Sequence, residues 1–260
     1  MADKNILLDI RSVSKVFYPK RKEPLTALKD LTFSVFNEEF VSIVGPSGCG
    51  KSTFIKLTCG LLQPTAGHIL LKEEPIQGPI KDVGIAFQAP ILLDWRSILD
   101  NVLLPVEILE GKVRAEHKER ARKLLALVGL VGFEEAHPRE LSGGMQQRVS
   151  ICRALMHDPY FLLMDEPFGA LDAMTREKMN KELLRIWREA KKTIIFITHN
   201  IGEAVFLSDR VVVLTARPGT VREIVTIDFP RPRDPASPAF RTAEGRIRDL
   251  IGEENWEGES

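Results

Sequence analysis

Apolar residues near the start of the chain alternate with polar ones or form short runs, and both patterns predict strands. Alternation over residues 6–13 and 31–36 is typical of strands with one buried face, and a polar, basic stretch over 19–24 separates them. The apolar run at 40–44 indicates a strand buried on both faces. A glycine-rich turn and an apolar-periodic stretch over 52–62 follow, so we expect strand, loop and helix in that order.

The middle of the chain differs, because its apolar positions recur at helical spacing. We expect mostly helix over 89–159, with a loop that enters a helix at 141–156. Short runs rich in β-branched residues then return at 160–164, 193–198 and 210–215. An amphipathic helix over 175–191 lies between the first two of these runs. Alternating strands and helices indicate a parallel α/β sheet, so the helical middle is predicted to be an insertion.

The end of the chain is rich in Pro, Arg and Glu, and we expect a loosely packed tail with one short helix over 240–251. The predicted organisation therefore has a core that is interrupted once and followed by this tail. Its segments are an N-terminal part of the core (1–88), a helical subdomain (89–159), a C-terminal part of the core (160–230) and the tail (231–260).

Composition narrows the classes of function. The 260 residues are 44% hydrophobic and 28% charged, with 36 Lys and Arg against 36 Asp and Glu. This neutral balance argues against a nucleic-acid partner, because nucleic-acid binders usually carry a basic excess. The cysteines, Cys49, Cys59 and Cys152, suit a reducing cytosol rather than a disulfide framework. Residues 1–10 do not look like a signal peptide, and no stretch reaches the roughly 18 apolar residues of a membrane helix.

The glycine-rich turn after the 40–44 strand fits the phosphate-binding pattern G-x-x-x-x-G-K-[ST]. It consists of Gly45, Pro46, Ser47, Gly48, Cys49, Gly50, Lys51 and Ser52, and Thr53 follows. Glycines let the backbone curl so that N–H groups point at phosphate oxygens, and the helix that follows presents its positive end. Lys51 would place its charge on the β- and γ-phosphates, and Ser52 would offer its hydroxyl to Mg²⁺.

Carboxylates end the strand predicted at 160–164. An apolar strand that stops at Asp165 and Glu166 places them at the carboxyl edge of the sheet, where α/β proteins bind ligands. Asp165 would hold Mg²⁺ and its waters, and Glu166 would orient or deprotonate the attacking water. A solvated strand end is the alternative, but the phosphate loop in the same chain disfavours it.

One segment of the helical middle resembles the signature motif of ATP-binding-cassette (ABC) proteins. It reads Leu141-Ser142-Gly143-Gly144-Met145-Gln146-Gln147-Arg148 and stands between the phosphate loop and the acidic strand, which is the family's order. The resemblance extends to about Pro230. It implies an α/β P-loop NTPase that hydrolyses ATP, with a RecA-like parallel-sheet core, an N-terminal antiparallel β part and an inserted α-helical subdomain.

Other motifs of the ABC family match this chain residue by residue. Phe17 matches the aromatic residue that stacks on adenine, although neighbouring Tyr18 is a rival and a half-buried strand aromatic is the plain alternative. Gln88 matches the glutamine that contacts Mg²⁺ and senses the γ-phosphate. Asp172, in Ala170-Leu171-Asp172, matches the loop that communicates across a dimer, and His199 matches the switch histidine. The implied catalytic residues are Glu166, His199 and Lys51, and the implied metal ligands are Ser52, Gln88 and Asp165.

The signature segment explains why the family works as dimers. Small residues at Ser142, Gly143 and Gly144 permit close approach of another backbone, and a helix N-terminus that follows attracts anions. In the family this loop faces the γ-phosphate held by the other subunit, so the resemblance implies a homodimer with ATP sandwiched between subunits. The chain departs from the family at two positions. Met145 replaces a common Gln, so we leave it out of the site. Glu38 replaces a usual Gly, so the geometry of the turn before the 40–44 strand is not predicted.

Several stretches look like the ATPases of nitrate, sulfonate and taurine importers, a branch that also includes pyrimidine-precursor systems. They are the phosphate loop, residues 165–172, residues 203–210 and Ala216-Arg217-Pro218-Gly219. The resemblance implies integral membrane permease subunits and, through them, an extracytoplasmic solute-binding protein as partners. It also implies a peripheral position on the cytoplasmic face of the inner (plasma) membrane.

The stretch that follows Gln88 is a candidate contact for the permease. Its apolar residues would either seat a short helix of the membrane subunit or pack into the core of the helical subdomain. These residues are Pro90, Ile91, Leu92, Leu93 and Trp95.

Other functions of an ABC ATPase remain as alternatives at this stage. A soluble ATPase acting on DNA ends or ribosomes is disfavoured, because the chain has one cassette and too little sequence between Lys51 and Ser142 for a long coiled coil. An export or lipoprotein-release motor would use the same chemistry, and the importer-like stretches argue mildly against it. A regulatory module without turnover is disfavoured by Glu166 and His199.

Overall fold

The computed structural model describes residues 5–20, 23–169 and 171–252. Predictions for the first residues of the chain, for part of the 19–24 stretch, for Ala170 and for the last residues of the tail lie outside them. The strands are β1 (Ile6–Phe17), β2 (Leu25–Phe36), β3 (Phe40–Val44), β4 (Ala66–Leu71), β5 (Glu74–Pro75), β6 (Val83–Ala86), β7 (Phe161–Asp165), β8 (Thr193–Ile197), β9 (Arg210–Leu214) and β10 (Val221–Thr226). The α-helices are α1 (Lys51–Thr58), α2 (Ile98–Glu110), α3 (Ala115–Leu127), α4 (Gly143–Leu155), α5 (Ala173–Ala190), α6 (Ile201–Leu207) and α7 (Pro238–Ile251).

The chain divides into two compact units, residues 1–80 with 195–260, and residues 81–194. The boundaries predicted from the sequence, after residues 88, 159 and 230, stay a prediction. None of the helices in the described ranges combines the length and the apolar character needed to cross a bilayer.

The first unit contains an antiparallel sheet in the order β2-β1-β4-β5. Strands β1 and β2 extend beyond the alternating stretches that predicted them, because the two strands pair along their length and Phe17 lies opposite Leu25. Alternation is lost toward the end of β1, where the side chains are only half-buried. The predicted N-terminal antiparallel part is therefore present and is larger than the pattern indicated.

The first unit also contains the strand that leads into the phosphate loop. Strand β3 has the predicted bounds, is buried throughout and pairs in parallel with β9, which pairs antiparallel with β10. Within this unit the order is β10-β9-β3-β8, and β8 begins just before the boundary between the units. Parallel pairing confirms the α/β arrangement predicted from the alternation of strands and helices.

The second unit carries most of the helices. Strands β6 and β7 pair in parallel there, and α2 packs against α3 and α4. The amphipathic pattern of α5 predicted a buried stripe of Met179, Leu183, Ile186 and Trp187, of which the first three are buried and Trp187 is half-buried. The helices of the middle segment thus pack around a hydrophobic core of their own, in which Val102, Leu125 and Ile151 are fully buried.

The expectation of a loosely packed tail is wrong for the described residues. Helix α7 packs on α6 and buries Phe240, Ile247 and Ile251, which recur on one helical face. Arg233 is only 4% exposed and is surrounded by backbone carbonyls. A composition rich in Pro and Arg was misleading, because a few apolar residues at the right spacing suffice to dock a helix.

The turn before β3, whose geometry the sequence left open, is left-handed at Glu38, with φ of 59°. A left-handed backbone costs a residue with a Cβ about 1–2 kcal/mol, which glycine avoids. Glu38 therefore occupies a backbone conformation that glycine would adopt at a lower cost.

Candidate functional site

The phosphate loop leaves buried β3 and enters α1 with Lys51 as the first helical residue. The Lys51 ammonium donates to the carbonyl oxygens of Gly45 and Pro46, at 2.8 and 3.3 Å. The cation is therefore held on the loop's own backbone instead of extending into solvent. Ser47 and Ser52 are exposed, whereas Cys49 is fully buried and its N–H donates to the Pro46 carbonyl oxygen at 3.2 Å.

Glycine is required at Gly50, which precedes α1. Its φ is 104°, and an added Cβ would lie 2.5 Å from a methyl carbon of Leu28 and 3.0 Å from the Ala27 carbonyl oxygen. Among the described residues no side chain caps this end of α1. A helix N-terminus without a side-chain cap leaves backbone N–H donors for an anion, and a lysine stands beside it, so the loop fits a phosphate group.

Phe17 and Tyr18 differ clearly in their environment. Phe17 ends β1 and is half-buried, with the Lys15 ammonium 5.5 Å from the centre of its ring. Tyr18 follows the strand and is 71% exposed. Both remain candidates for stacking on adenine, since the contacts of Phe17 also suit an ordinary strand aromatic.

His199 stands between the end of β8 and the start of α6, in a segment fixed by side-chain hydrogen bonds. The Thr198 hydroxyl donates to the Glu203 carboxylate at 2.6 Å and accepts from the Asn200 N–H at 2.9 Å. Asn200 caps α6 by accepting from the Glu203 N–H at 3.0 Å. The Thr198 N–H also donates to the Ile43 carbonyl oxygen, 3.3 Å away, which ties this segment to the strand that carries the phosphate loop.

Asp165 and Glu166 lie where the sequence predicted, at the carboxyl end of β7. Glu166 has a φ of 45°, in the left-handed region that a residue with a Cβ rarely adopts. Such a conformation costs about 1–3 kcal/mol and persists where the surrounding structure imposes it, often at functional sites. Gly169 donates its N–H to the Glu166 carbonyl oxygen at 3.0 Å, so a tight turn follows the acidic pair.

The structure brings Gln88 to the same edge of the sheet as the acidic pair. Ala86 lies opposite Met164 in the parallel β6–β7 pairing, so Gln88 and Glu166 each stand two positions beyond that pair. A Cβ built on Gly169 would lie 3.1 Å from the amide nitrogen of Gln88. Gln88 and the acidic pair are far apart in the chain, and the sheet brings them together as one cluster of oxygen-bearing side chains.

The signature segment forms the start of α4. Ser142 caps the helix, its hydroxyl accepting from the Met145 N–H at 3.4 Å. Ser142 and Gly143 are exposed, and among the described residues a Cβ added to Gly143 would meet no atom within 4 Å beyond its own helical turn. The fold of this chain therefore does not itself require glycine at position 143.

Asp172 caps α5, where its carboxylate accepts from the Thr175 N–H at 3.0 Å. Hydrogen bonding from Thr175 holds the pKa of Asp172 below its usual value. The structure thus assigns this residue a helix-capping contact, and its role in communication across a dimer stays a prediction.

Sequence reasoning missed the role of three polar side chains that hold the Gln88 loop. Gln147, in the signature helix, donates to the Phe87 carbonyl oxygen at 3.1 Å, and Arg153 donates to the Pro90 and Ile91 carbonyl oxygens at 2.8 Å each. Asn101, fully buried in α2, accepts from the Leu93 N–H at 2.7 Å. Their partners are backbone atoms, which lie about 60 positions away for Gln147 and Arg153 and eight positions away for Asn101, so the sequence pattern did not assign them this role.

Comparison with known proteins identifies the family. The family model described as "ABC transporter" matches residues 28–169. The chain belongs to the ABC transporter family. An ABC transporter ATP-binding protein of Methanocaldococcus jannaschii is 47% identical over 96% of this chain and 92% of its own length. The aliphatic sulfonates import ATP-binding protein of Bacillus licheniformis is 42% identical over 92% of each chain.

Solved ABC cassettes share the fold. A dimeric ATP-binding cassette in a post-hydrolysis state, bound to ADP and phosphate, matches with a TM-score of 0.73 and 31% identity over 86% of this chain and all of that one. A cassette of an ABC transporter complex from Clostridium perfringens matches with a TM-score of 0.76 and 26% identity over 86% of this chain and 90% of its own. These matches confirm the predicted P-loop fold, and the chain is an ATPase of the ABC family.

Proposed function

We propose that this ABC ATPase is the motor subunit of an importer for a small solute of the sulfonate class. The observation that carries the proposal is the similarity, over almost the whole chain, to ATP-binding proteins named for the import of aliphatic sulfonates. Nitrate, taurine and pyrimidine precursors are the other solutes that the sequence motifs allow. No specific feature of the structure favours a soluble ATPase or an export motor over this reading.

We assign the chemistry to individual residues. The phosphate loop with Lys51 binds the phosphates of ATP, Phe17 or Tyr18 stacks on adenine, and His199 contacts the γ-phosphate. Glu166 orients or deprotonates the attacking water. The position of Glu166 directly after buried β7, its left-handed backbone and the hydrogen-bonded segment around His199 support these roles.

Mg²⁺ would be held by oxygen atoms of Ser52, Gln88 and Asp165, which are ligands of the kind that Mg²⁺ prefers. Bound there, it would neutralise charge on the phosphate oxygens. Within the described ranges no group of three or more His, Cys, Asp or Glu side chains forms a metal cage. Nucleotide phosphates would complete the coordination, as they usually do for Mg²⁺.

We further propose that two copies of the chain sandwich ATP, with the signature segment of one facing the nucleotide of the other. Gly143 supports this proposal, because its lack of a side chain is not required by the chain's own packing. The space beside Gly143 would let a second subunit and its nucleotide approach the backbone closely. The solved ATP-binding cassette bound to ADP and phosphate, which is 31% identical to this chain, is dimeric in its post-hydrolysis state.

The permease contact is proposed for the loop after Gln88. Ile91 and Trp95 are 59% and 75% exposed, whereas Leu92 and Leu93 are half-buried. Arg153 and Asn101 pin the backbone of this loop, so it presents its apolar side chains on a rigid support. Contact with integral membrane permease subunits would place the protein at the cytoplasmic face of the membrane, and an extracytoplasmic solute-binding protein would act through the permease.

The test uses a Glu166→Gln variant, which should bind ATP but turn it over roughly 100- to 10,000-fold more slowly because it lacks the general base. With ATP and Mg²⁺ present, we expect it to purify from detergent-extracted membranes with two copies of a membrane protein that has several spanning helices. The Lys51→Ala variant is the control, since without ATP binding it should not form the closed dimer.

The purified complex then decides the solute. Reconstituted with its solute-binding protein, the wild-type complex should hydrolyse ATP faster when an aliphatic sulfonate is added, and nitrate, taurine and a pyrimidine precursor serve as comparisons. An ATP-dependent homodimer that never associates with a membrane protein would refute the transport role. Stimulation by one of the other solutes alone would refute the sulfonate assignment.

A further inference from the structure

The end of α6 is covered by an arginine pair that the sequence motifs did not include. Arg233 donates through one terminal nitrogen to the carbonyl oxygens of Val205 and Ser208, both at 2.6 Å, and of Phe206 at 3.4 Å. Arg231 donates to the Leu207 carbonyl oxygen at 2.6 and 3.1 Å. Together the arginines donate to the successive carbonyl oxygens of residues 205–208. We call Arg231 and Arg233 the arginine clamp.

These carbonyls are the ones that a helix cannot satisfy by itself. The last carbonyls of a helix have no partner within it, and the negative end of the helix dipole lies there. In α6, the Ser208 N–H already takes the Ala204 carbonyl oxygen, so the carbonyls of residues 205–208 remain for the clamp. A planar guanidinium with several donors suits such a row of acceptors better than a single ammonium does.

Arg233 is built into the interior and is not a surface residue that happens to touch the helix. It is 4% exposed, and its other nitrogens donate to the Ile227 and Phe229 carbonyl oxygens at 2.9 and 3.2 Å. Burial lowers the pKa of its guanidinium to about 10, so the group is still charged at neutral pH. A buried charge held only for packing would be expensive, and its position at a helix end indicates a more specific task.

The clamp is anchored to the strand that carries the phosphate loop. Arg231 donates to the Asp209 carboxylate at 2.7 Å, and the same carboxylate accepts from the Phe40 N–H at 2.9 Å. The Asp209 N–H donates in turn to the Phe40 carbonyl oxygen at 2.7 Å. The C-terminal end of α6 is thereby fixed to the beginning of β3, whose other end leads into the phosphate loop.

His199 directly precedes Asn200, the residue that caps the N-terminal end of α6, and the side-chain hydrogen bonds of this segment are local. Thr198, Asn200 and Glu203 bond to one another and so fix His199 to the helix. The helix has seven residues, so the clamp acts over only about 10 Å. We propose that Arg231 and Arg233 are positioning residues that orient α6, and through it His199, for ATP hydrolysis; this rests on the proposed role of His199.

The experiment replaces Arg233 by Lys, which keeps the charge but loses the array of donors. Turnover should fall roughly 10- to 100-fold, because a small displacement of a reacting group is costly, while the KM for ATP should change less than about 2-fold. The chain has five histidines, so the imidazole NMR signals of labelled protein are few, and His199→Ala assigns the signal of interest. We expect this signal to move in Arg233→Lys, and Arg231→Lys provides the same test if Arg233→Lys does not fold.

Matched controls separate positioning from general damage. Arg246 belongs to the same tail and pairs with Glu223 at the surface, so Arg246→Lys should leave turnover and the His199 signal unchanged. In a His199→Ala background, Arg233→Lys should add little further loss, because both changes act on one group. An unmoved His199 signal, or an additive loss in the double variant, would overturn the inference. If His199→Ala itself does not slow turnover, the proposed role of His199 fails, and the NMR signal still decides whether the clamp positions the residue.

Discussion

The phosphate loop and the signature segment both place glycines at the start of a helix, yet the reason differs between them. At Gly50 the backbone is left-handed and an added Cβ would collide with Leu28 and the Ala27 carbonyl. At Gly143 the part of the chain described by the structure leaves the same space open. The first glycine is demanded by the fold of one subunit, whereas the fold leaves room for a side chain at the second, as the proposed sandwich dimer requires.

The sharpest test of this contrast removes the charged contact at the phosphate loop. Lys51→Ala should weaken ATP binding by a single subunit about 100-fold, because a charge-assisted phosphate contact is lost. Ser142→Ala at the start of the signature helix should leave that affinity unchanged. Equilibrium titration with a fluorescent ATP analogue under monomeric conditions measures both, and equal losses would break the comparison.

The glycines themselves give the next effect. Gly50→Ala should lower the free energy of unfolding by about 2–4 kcal/mol, from left-handed strain plus the collision with the Leu28 side chain and the Ala27 carbonyl oxygen. Gly143→Ala should stay within about 0.5 kcal/mol of the wild type, yet weaken the ATP-dependent dimer. Chemical denaturation measures the free energy of unfolding, and light scattering measures ATP-dependent dimerisation of the same variants in a Glu166→Gln background. A Gly143→Ala variant that dimerises normally would contradict the proposed approach of a second subunit.

A smaller effect is expected at Asp172, whose carboxylate caps α5. The pKa of the Asp172 carboxyl is lower in the folded state than in the unfolded one, so its ionised form stabilises the folded protein. This contribution to the free energy of unfolding is fully present above the unfolded pKa and is lost as the pH falls through the folded pKa. Asp172→Ala should therefore lower Tm at neutral pH and reduce the acid sensitivity of Tm, and Asp172→Asn should retain much of the cap. Thermal unfolding at several pH values would show no such difference if the cap were unimportant.

The smallest effect concerns a position where the backbone favours glycine and the sequence lacks it. Glu38→Gly should raise the free energy of unfolding by about 1 kcal/mol, because the left-handed turn then costs nothing. Turnover should not change, since this turn precedes β3 and carries none of the proposed chemistry. A destabilised Glu38→Gly protein would mean that contacts of the Glu38 side chain outweigh the strain.

Local motifs were predictable because their residues are adjacent in the chain. Gly45 to Thr53 form the phosphate loop and the first residues of α1, so one short stretch of sequence identifies them. The same holds for the strand that ends at Asp165 and Glu166, whose apolar run and stop are both local. Strand and helix ends moved by a few residues, as at β1 and β2, because pairing between strands extends elements beyond their local pattern.

Contacts between distant segments were not predictable in this way. The tail was expected to pack loosely, since its composition is polar, but α7 docks on α6 and Arg233 enters the interior. Gln147, Asn101 and Arg153 hold the Gln88 loop through backbone carbonyl and amide groups, which every residue possesses and no motif identifies.

The sequence by itself determined the family, the parallel α/β core, the ATP chemistry and the residues proposed to carry it, because each depends on short motifs in a particular order. The tertiary structure decided which of these residues are held rigidly and by what. It showed the left-handed Glu166, the open space at Gly143 and the arginine clamp at the end of α6. Such features arise from hydrogen bonds and packing between segments far apart in the chain, and their partners are chosen only when the chain folds.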